Sequence, residues 1–310
     1  MAGTGGGMTG PGSGTGGGIG EPMPAGCSPG PFDRFLAIDW SGARGLRHRG
    51  IAVAEARPGR AAPDLVPPPD ARGWSRPEVL AYLSRLGGRW LAGFDFSFAP
   101  PFLDRGAYLP GLAAPVDGPG FWAWVDAHCD DPTLAAHAFL AGPARAHIWT
   151  GAKDGPKAAF LRLRRCEARF NAQGGGKPST VFDQLGAAQV GKASFSGMRL
   201  LHRLRAHVPV WPFEAPDPGR PLVVEIYTRL FLREALGRGR KIRDWEALDR
   251  ALGALGSDPL SARRPLSDHE TDVLVSAAGL RALAADPHRW APAGLGPEVA
   301  RTEGWTFGVL

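Results

Sequence analysis

The sequence predicts an α/β protein with a mixed central sheet flanked by helices and with a helical insertion. Apolar strand-like segments come first, and strands then alternate with helical segments, which is the order expected of a layered α/β fold. The chain has 310 residues, of which 44% are hydrophobic, so it is long enough to bury a full core.

The chain divides into a tail and one folded domain. Residues 1–30 contain 13 of the 44 glycines and no Lys or Arg, so we predict a disordered Gly-rich tail there. The domain spans 31–310. Its predicted core covers about 35–100 and 220–285, and the region over about 101–220 is predicted to be an inserted cap.

The first part of the predicted core contains a hairpin, a helix and a central strand. Residues 35–39 form a short apolar run that ends at a turn, and residues 50–55 have the pattern of a second strand. A Pro-rich loop leads to a helix over about 77–86. Residues 90–98 then have the pattern of a central strand, which Pro100 and Pro101 end.

Helical patterns dominate the rest of the chain, with one further strand. Ser267 and Glu270 form a capping box, which predicts where the last long helix begins. The strand and the helices are predicted, in chain order, near 132–140, 156–170 and 195–206 (helices), 222–227 (strand), and 228–236, 244–255 and 268–285 (helices).

Acidic side chains occur in segments that are otherwise apolar. Asp39 and Asp95 lie at or near the C-terminal ends of two predicted strands, where open α/β sheets place their ligand sites, and Glu225 lies in a third strand. Asp268 and Asp272 are four residues apart on one face of the last helix. A carboxylate in such a run is costly to bury unless it is paired or coordinates a cation.

Carboxylates that converge from separate strands and one helix predict a divalent-cation site, because Mg²⁺ and Mn²⁺ take oxygen ligands. Two such ions about 3.5 to 4 Å apart clamp a phosphoryl group during attack by water. We therefore predict Asp39, Asp95, Glu225 and Asp272 as catalytic residues and metal ligands, with Asp268 as a further ligand. The predicted chemistry is phosphodiester hydrolysis.

Each of these acids also has a structural explanation. Asp39 could cap the turn that follows its strand, and Asp268 could stabilise the N-terminus of its helix through the helix dipole. Glu225 could pair with one of the many arginines. His269 fits either a solvent-facing or capping role or a role as general acid or base.

Six short motifs follow one another in a characteristic order: Ala37–Gly42, Gly93–Phe98, Val181–Phe182 with Gly186–Gly191, Val210–Phe213, Val224–Tyr227 and Asp268–Ala277. Together they resemble domain-of-unknown-function family 429, predicted nucleases related to the RNase H-like superfamily. The resemblance covers about residues 35–283 and implies an RNase H-like fold.

The resemblance also implies roles for four acidic residues. Asp39 matches the acid of the family's first strand, Asp95 the acid of a later strand, Glu225 the Glu-Ile-Tyr position and Asp272 the helical acid. The family often has proline after that tyrosine, whereas this chain has Thr228.

Basic residues are unevenly distributed along the chain, whose formal net charge is +6. Residues 141–243 hold 19 Lys and Arg against seven Asp and Glu, whereas the rest of the chain holds 17 against 23. A local basic excess favours a polyanionic partner, and we expect DNA or RNA. The predicted substrate-binding side chains are basic residues of this region: Arg162, Arg164, Arg165, Lys177, Arg240 and Lys241.

The cysteines and the hydropathy indicate the compartment. Cys27, Cys129 and Cys166 form no CxxC pair, which favours a reducing compartment, and we expect the cytoplasm. No stretch approaches the ~20 apolar residues that a membrane helix needs, so we expect no membrane partner.

Two other function classes fit part of the pattern. An actin-like kinase would use Asp39–Gly42 as its first phosphate loop, but the candidate for its second loop, Asp117–Gly120, follows no predicted strand. A non-catalytic nucleic-acid-binding or interaction protein would retain the fold and bind oligonucleotides independently of metal.

Overall fold

The computed structural model describes residues 1–2, 29–175, 180–185, 190–237, 239 and 241–310. Nearly all of the predicted tail over 1–30 therefore lies outside the described residues. Lys177, Arg240 and the Gly186–Gln189 part of one motif also lie outside them.

Five strands form one mixed sheet: β1 (Arg34–Asp39), β2 (Ala52–Ala56), β3 (Asp64–Leu65), β4 (Trp90–Asp95) and β5 (Leu222–Glu225). Their order across the sheet is β3-β2-β1-β4-β5. β2 is antiparallel to both β1 and β3, whereas β4 is parallel to both β1 and β5. The α/β class, the mixed sheet and the first hairpin are confirmed, and the short β3 was not predicted.

Helices surround the sheet. Their bounds are α1 (Arg76–Arg85), α2 (Gly118–Ala127), α3 (His137–Ala141), α4 (Arg165–Ala172), α5 (Val190–Leu204), α6 (Thr228–Leu236), α7 (Trp245–Ala254), α8 (Asp268–Leu283) and α9 (Pro297–Thr302). The sequence did not predict α2 or α9. The single helix predicted over 156–170 is wrong, because a 3-10 turn at Lys157–Phe160 and α4 are separated by an extended stretch that turns Arg162 and Arg164 inward.

Two predicted strands end earlier than expected. β4 ends at Asp95 because the main-chain amides beyond it hydrogen-bond to side chains instead of to a neighbouring strand. The amide of Ser97 donates to Ser194, and that of Phe98 donates to Glu225. β5 ends at Glu225, and α6 begins at Thr228.

Different parts of the chain cover the two faces of the sheet. On one face, Ala37 and Val224 pack with α6, α7, α8 and the C-terminal segment Trp305–Val309, and we call this the helical face. On the other, Ile38 and Val223 pack with α1, α2 and α5, and we call this the insertion face. Alternation along each strand sends successive side chains to opposite faces.

The position of α8 matters most for the candidate site. Ser267 caps the helix, and its reciprocal hydrogen bonds with Glu270 confirm the predicted capping box. α8 packs across β1 and β2 on the helical face. Gly93 permits its close approach to β4, since a Cβ there would lie 2.9 Å from Leu280 Cδ1. Among the described residues, no helix is long and apolar enough to span a membrane.

Candidate active site

Asp39 and Asp95 lie side by side at one edge of the sheet. They are the last residues of the parallel strands β1 and β4, and they are direct register partners. Alternation directs both side chains to the helical face, where α8 places Asp272 beside them. All three residues are partly buried. We call Asp39, Asp95 and Asp272 the carboxylate cluster.

Negative charge accumulates in the carboxylate cluster. Burial, reinforced by the charges of Asp39 and Asp272, raises the pKa of Asp95 to about 8. Burial and the charge of Asp39 raise the pKa of Asp272 to about 6. No described Lys or Arg forms an ion pair with Asp95 or Asp272. The carboxylate forms of the cluster therefore repel one another, and a bound cation would relieve that repulsion.

His269 contacts the carboxylate cluster directly. Its Nδ1 lies 2.7 Å from Asp39 Oδ2, and this hydrogen bond raises the pKa of the imidazole despite its partial burial. The ring is about half exposed, so it borders both the cluster and the solvent. The sequence left its role open. The sequence does hold a signal for its position beside the cluster: His269 and Asp272 are three residues apart, which puts both on one side of a helix.

Thr228 was not identified from the sequence as a site residue. Its Oγ1 donates to Asp95 Oδ2 over 3.1 Å and lies 2.9 Å from Ser276 Oγ on α8. A proline, the common residue at this position in the family that the motifs resemble, has no hydroxyl group to donate. The departure from the motif therefore supplies a hydrogen bond that orients Asp95.

Asp268 and Lys241 form an exposed ion pair next to the carboxylate cluster. Lys241 Nζ lies 2.6 Å from Asp268 Oδ2, and this contact lowers the pKa of Asp268. The charge of Lys241 offsets part of the rise in the pKa of Asp272, so the ammonium group acts electrostatically on the cluster.

The structure corrects the prediction for Glu225. Its register partner on β4 is Phe94, one residue before Asp95, so Glu225 projects to the insertion face. There Arg164 binds it through two hydrogen bonds of 2.6 and 2.7 Å. Thr306 Oγ1 and the amide of Phe98 donate to the same carboxylate. Glu225 is therefore saturated and lies outside the carboxylate cluster.

Two predicted substrate-binding arginines are also corrected. Arg162 is buried and binds both carboxylate oxygens of Asp104, at 2.6 and 2.7 Å. Arg164 is buried between Glu167 and Glu225. Both guanidinium groups stabilise the interior and are not accessible to a substrate. Arg165 is exposed, and its role stays a prediction.

The donor chemistry of the cluster fits a hard divalent cation. Within the described part of the chain, no group of three or more His, Cys, Asp or Glu side chains is arranged to hold a metal ion. Mg²⁺, however, needs only one or two protein carboxylates, because waters and substrate phosphate oxygens complete its shell. Asp39 and Asp95, adjacent and partly exposed, meet that requirement, and the repulsion that raises the pKa of Asp95 favours a cation beside them.

Two other features lie apart from the cluster. A cavity of about 180 Å³ has Phe170, Arg233 and Leu310 in its wall and none of the predicted site residues. Asp117 caps α2 by accepting from the amide of Gly120, and the described residues contain one sheet, so they offer no second strand-borne phosphate loop.

No known protein family, curated protein or solved structure significantly matches this chain. The resemblance to family 429 thus depends on the motifs alone.

Proposed function

We propose that this protein is a divalent-metal-dependent nuclease that hydrolyses phosphodiester bonds of DNA or RNA. The observation that carries the proposal is that Asp39, Asp95 and Asp272 lie together at the carboxyl ends of two parallel strands. The pKa values of Asp95 and Asp272 are raised, and no described Lys or Arg side chain hydrogen-bonds to either carboxyl group. Such a site attracts hard cations, and phosphoryl transfer is the chemistry that two clamped cations promote.

An RNase H-like fold is part of the proposal. The resemblance implies a mixed sheet whose first strand carries an acid and a late helix that carries another. β1 ends in Asp39, and α8 carries Asp272 over the same edge of the sheet. Both features support the proposed fold.

Asp39, Asp95 and Asp272 would hold Mg²⁺ or Mn²⁺, with exposed Asp268 as an outer ligand. When bound, the metal supplies charge stabilisation at the phosphate and activates water. The other residues position these ligands. His269 fixes Asp39 through its Nδ1, and Thr228 fixes one oxygen of Asp95.

The proposed partner is a nucleic acid, and the proposed location is the cytoplasm. Lys241 lies beside the cluster and is a candidate contact to phosphate. Arg165 is also exposed to solvent. Cys129 and Cys166 are free, buried thiols, which suits a reducing compartment.

A second candidate is a nucleic-acid-binding protein without catalysis. It is favoured by the lack of a preformed metal-holding group among the described side chains. Such a protein binds oligonucleotides with an affinity that neither metal nor Asp272→Asn alters. We rank this candidate second because it does not explain why acids with raised pKa values lie together in the cluster.

Cleavage assays with wild type, Asp39→Asn and Asp130→Asn test the proposal. Asp130 is an exposed carboxylate with no described side-chain partner and serves as the matched control. Labelled single-stranded, duplex, hybrid and branched substrates are incubated with Mg²⁺, Mn²⁺ or EDTA. We expect metal-dependent cleavage that Asp39→Asn lowers on the order of 100-fold, since losing a ligand removes several kcal/mol of charge stabilisation. Asp130→Asn should retain wild-type rates.

Cleavage that persists in EDTA, or that is unchanged by Asp39→Asn, overturns the proposed mechanism. Oligonucleotide binding that is unaffected by metal, with no cleavage of any substrate, establishes the second candidate instead.

A further inference from the structure

The connection between β1 and β2, residues 40–51, is a basic loop next to the carboxylate cluster. Arg44 and Arg49 are both exposed, and neither forms an ion pair with a described acidic residue. Between them Leu46 is also exposed, at 52% of its surface. The loop therefore presents two uncompensated guanidinium groups and an apolar side chain to solvent.

This loop differs from the basic insertion, where arginines mostly bind acids of the same chain. Arg199 is buried and binds Asp126 at 2.7 Å, and Arg205 binds Glu214 at 2.6 Å. Arg162 and Arg164 likewise bind acids of the same chain, Asp104 and Glu225. Several arginines of the insertion are thus neutralised by acids of the same chain, whereas Arg44 and Arg49 are not.

Buried contacts hold the base of the loop in place. The guanidinium group of Arg76 is buried and donates to the carbonyls of Ser41 and Ala43, at 2.8 and 2.5 Å. The amide of His48 donates to the carbonyl of Trp74 over 2.8 Å. The segment that carries Arg44 and Leu46 is anchored on both sides, so binding there requires little further ordering of the main chain.

The loop also lies against the residues of the candidate site. A Cβ at Gly50 would lie 3.4 Å from His269 Nε2, so the end of the loop packs on the imidazole that binds Asp39. At its start, a Cβ at Gly42 would overlap the main chain of Lys192 at the beginning of α5. The loop thus contacts a neighbour of the cluster at one end and the insertion at the other.

We propose that the β1–β2 loop holds the phosphate backbone of a nucleic-acid strand, with Arg44 and Arg49 as phosphate ligands and Leu46 against a sugar or base. A planar guanidinium group binds phosphate oxygens through two parallel hydrogen bonds, which gives direction as well as affinity. This inference rests on the proposed function, because it takes the carboxylate cluster as the place where the held strand is cut.

The test compares an Arg44→Gln/Arg49→Gln variant with an Arg85→Gln/Lys153→Gln control. Arg85 and Lys153 are exposed and likewise lack a described acidic partner, and Arg85 precedes β4, at the edge of the sheet opposite Asp95. Binding of fluorescein-labelled oligothymidylate is measured by anisotropy over a range of salt concentrations, with Ca²⁺ in place of Mg²⁺ to prevent cleavage. Hydrolysis of bis(p-nitrophenyl) phosphate with Mn²⁺ is measured in parallel.

We expect the loop variant to bind about 10-fold more weakly and to lower the salt slope by about 1.4, which corresponds to two phosphate contacts on a single strand. The control should match wild type. Hydrolysis of the small diester should stay within about twofold of wild type, because that substrate has no flanking phosphates to hold.

A wild-type salt slope in the loop variant, an equal loss in the control, or no oligonucleotide binding by wild type overturns the inference. If the inference fails in one of these ways but wild type still cleaves and Asp39→Asn does not, the proposed nuclease function is retained. Loop-dependent binding without cleavage of any substrate supports the inference and refutes the nuclease.

Discussion

At the residue scale, Asp95 has a carboxyl group that the fold disfavours in its charged form. Burial and two neighbouring acids raise its pKa from 3.8 to about 8. Between these two pH values the folded state binds a proton more tightly than the unfolded chain does. The contribution of this group to stability is therefore fully present below about pH 4 and is lost as the pH rises to about 8.

We expect Asp95→Asn to stabilise the metal-free protein at pH 8 and to change its stability little at pH 4. The amide is nearly isosteric and carries no charge. One pKa unit corresponds to about 1.4 kcal/mol, and because Asp95 is partly exposed we expect a gain of about 2 kcal/mol, less than the full shift implies. Thermal unfolding in EDTA across this pH range measures the effect. Asp130→Asn should follow wild type throughout, and equal Tm values for Asp95→Asn and wild type at pH 8 would contradict the charge repulsion.

At the element scale, α8 connects the stability of the fold to the geometry of the site. Its capped first turn carries His269, its second turn carries Asp272, and its middle packs closely on α6. A Cβ at Gly279 would lie 2.4 Å from Cδ1 of Phe231, which is fully buried and cannot move aside. The glycine therefore sets how close the two helices approach.

Gly279→Ala and Gly253→Ala form a matched pair of helix substitutions with opposite expected signs. A Cβ at Gly253, in α7, meets no atom within 4 Å, so alanine there should raise the free energy of unfolding by up to about 1 kcal/mol through helix propensity. Gly279→Ala should lower it by about 1 to 3 kcal/mol through overpacking. Urea unfolding of both variants measures the difference. A stabilised Gly279→Ala protein would show that the helices tolerate a wider spacing.

At the scale of the whole molecule, each face of the sheet is buried by a different part of the chain, and the fold needs both parts. The insertion buries one face, including Ile38 and Phe94, and the later helices with the C-terminal segment bury the other. Removing either would expose a full apolar face of the sheet. We therefore expect the insertion and the core to unfold as one cooperative unit.

We expect a core substitution in the insertion to weaken the whole domain. Phe139 in α3 is fully buried and packs on the rings of Phe121 and Phe195. Phe139→Ala should cost about 3 to 5 kcal/mol. Native-state hydrogen exchange should show equal losses of protection in α5 and in β4. Loss confined to α2, α3 and α5 would instead define the insertion as a separate unit.

Short-range features of the chain predict much of the fold. Apolar runs ended by Gly or Pro locate β1, β2 and β4 within a few residues, and the capping box locates the start of α8. Acids at the ends of two strands predict neighbouring side chains when the strands are parallel, and Asp39 and Asp95 are neighbours because β1 and β4 are parallel. All of these signals come from residues that are close together in the chain, which is why the sequence by itself determines them.

Register and pairing are decided only in the tertiary structure. Glu225 aligns with Phe94, and a shift of one residue would align it with Asp95 and move it to the helical face. The guanidinium group of Arg164 binds Glu225 across 61 positions of sequence. Periodicity shows which residues of one strand share a face, but packing of the whole core sets how strands align and which charges meet. For that reason the sequence by itself determined the strands, the last long helix and the acids at strand ends, and only the tertiary structure separated the carboxylate cluster from the buried ion pair.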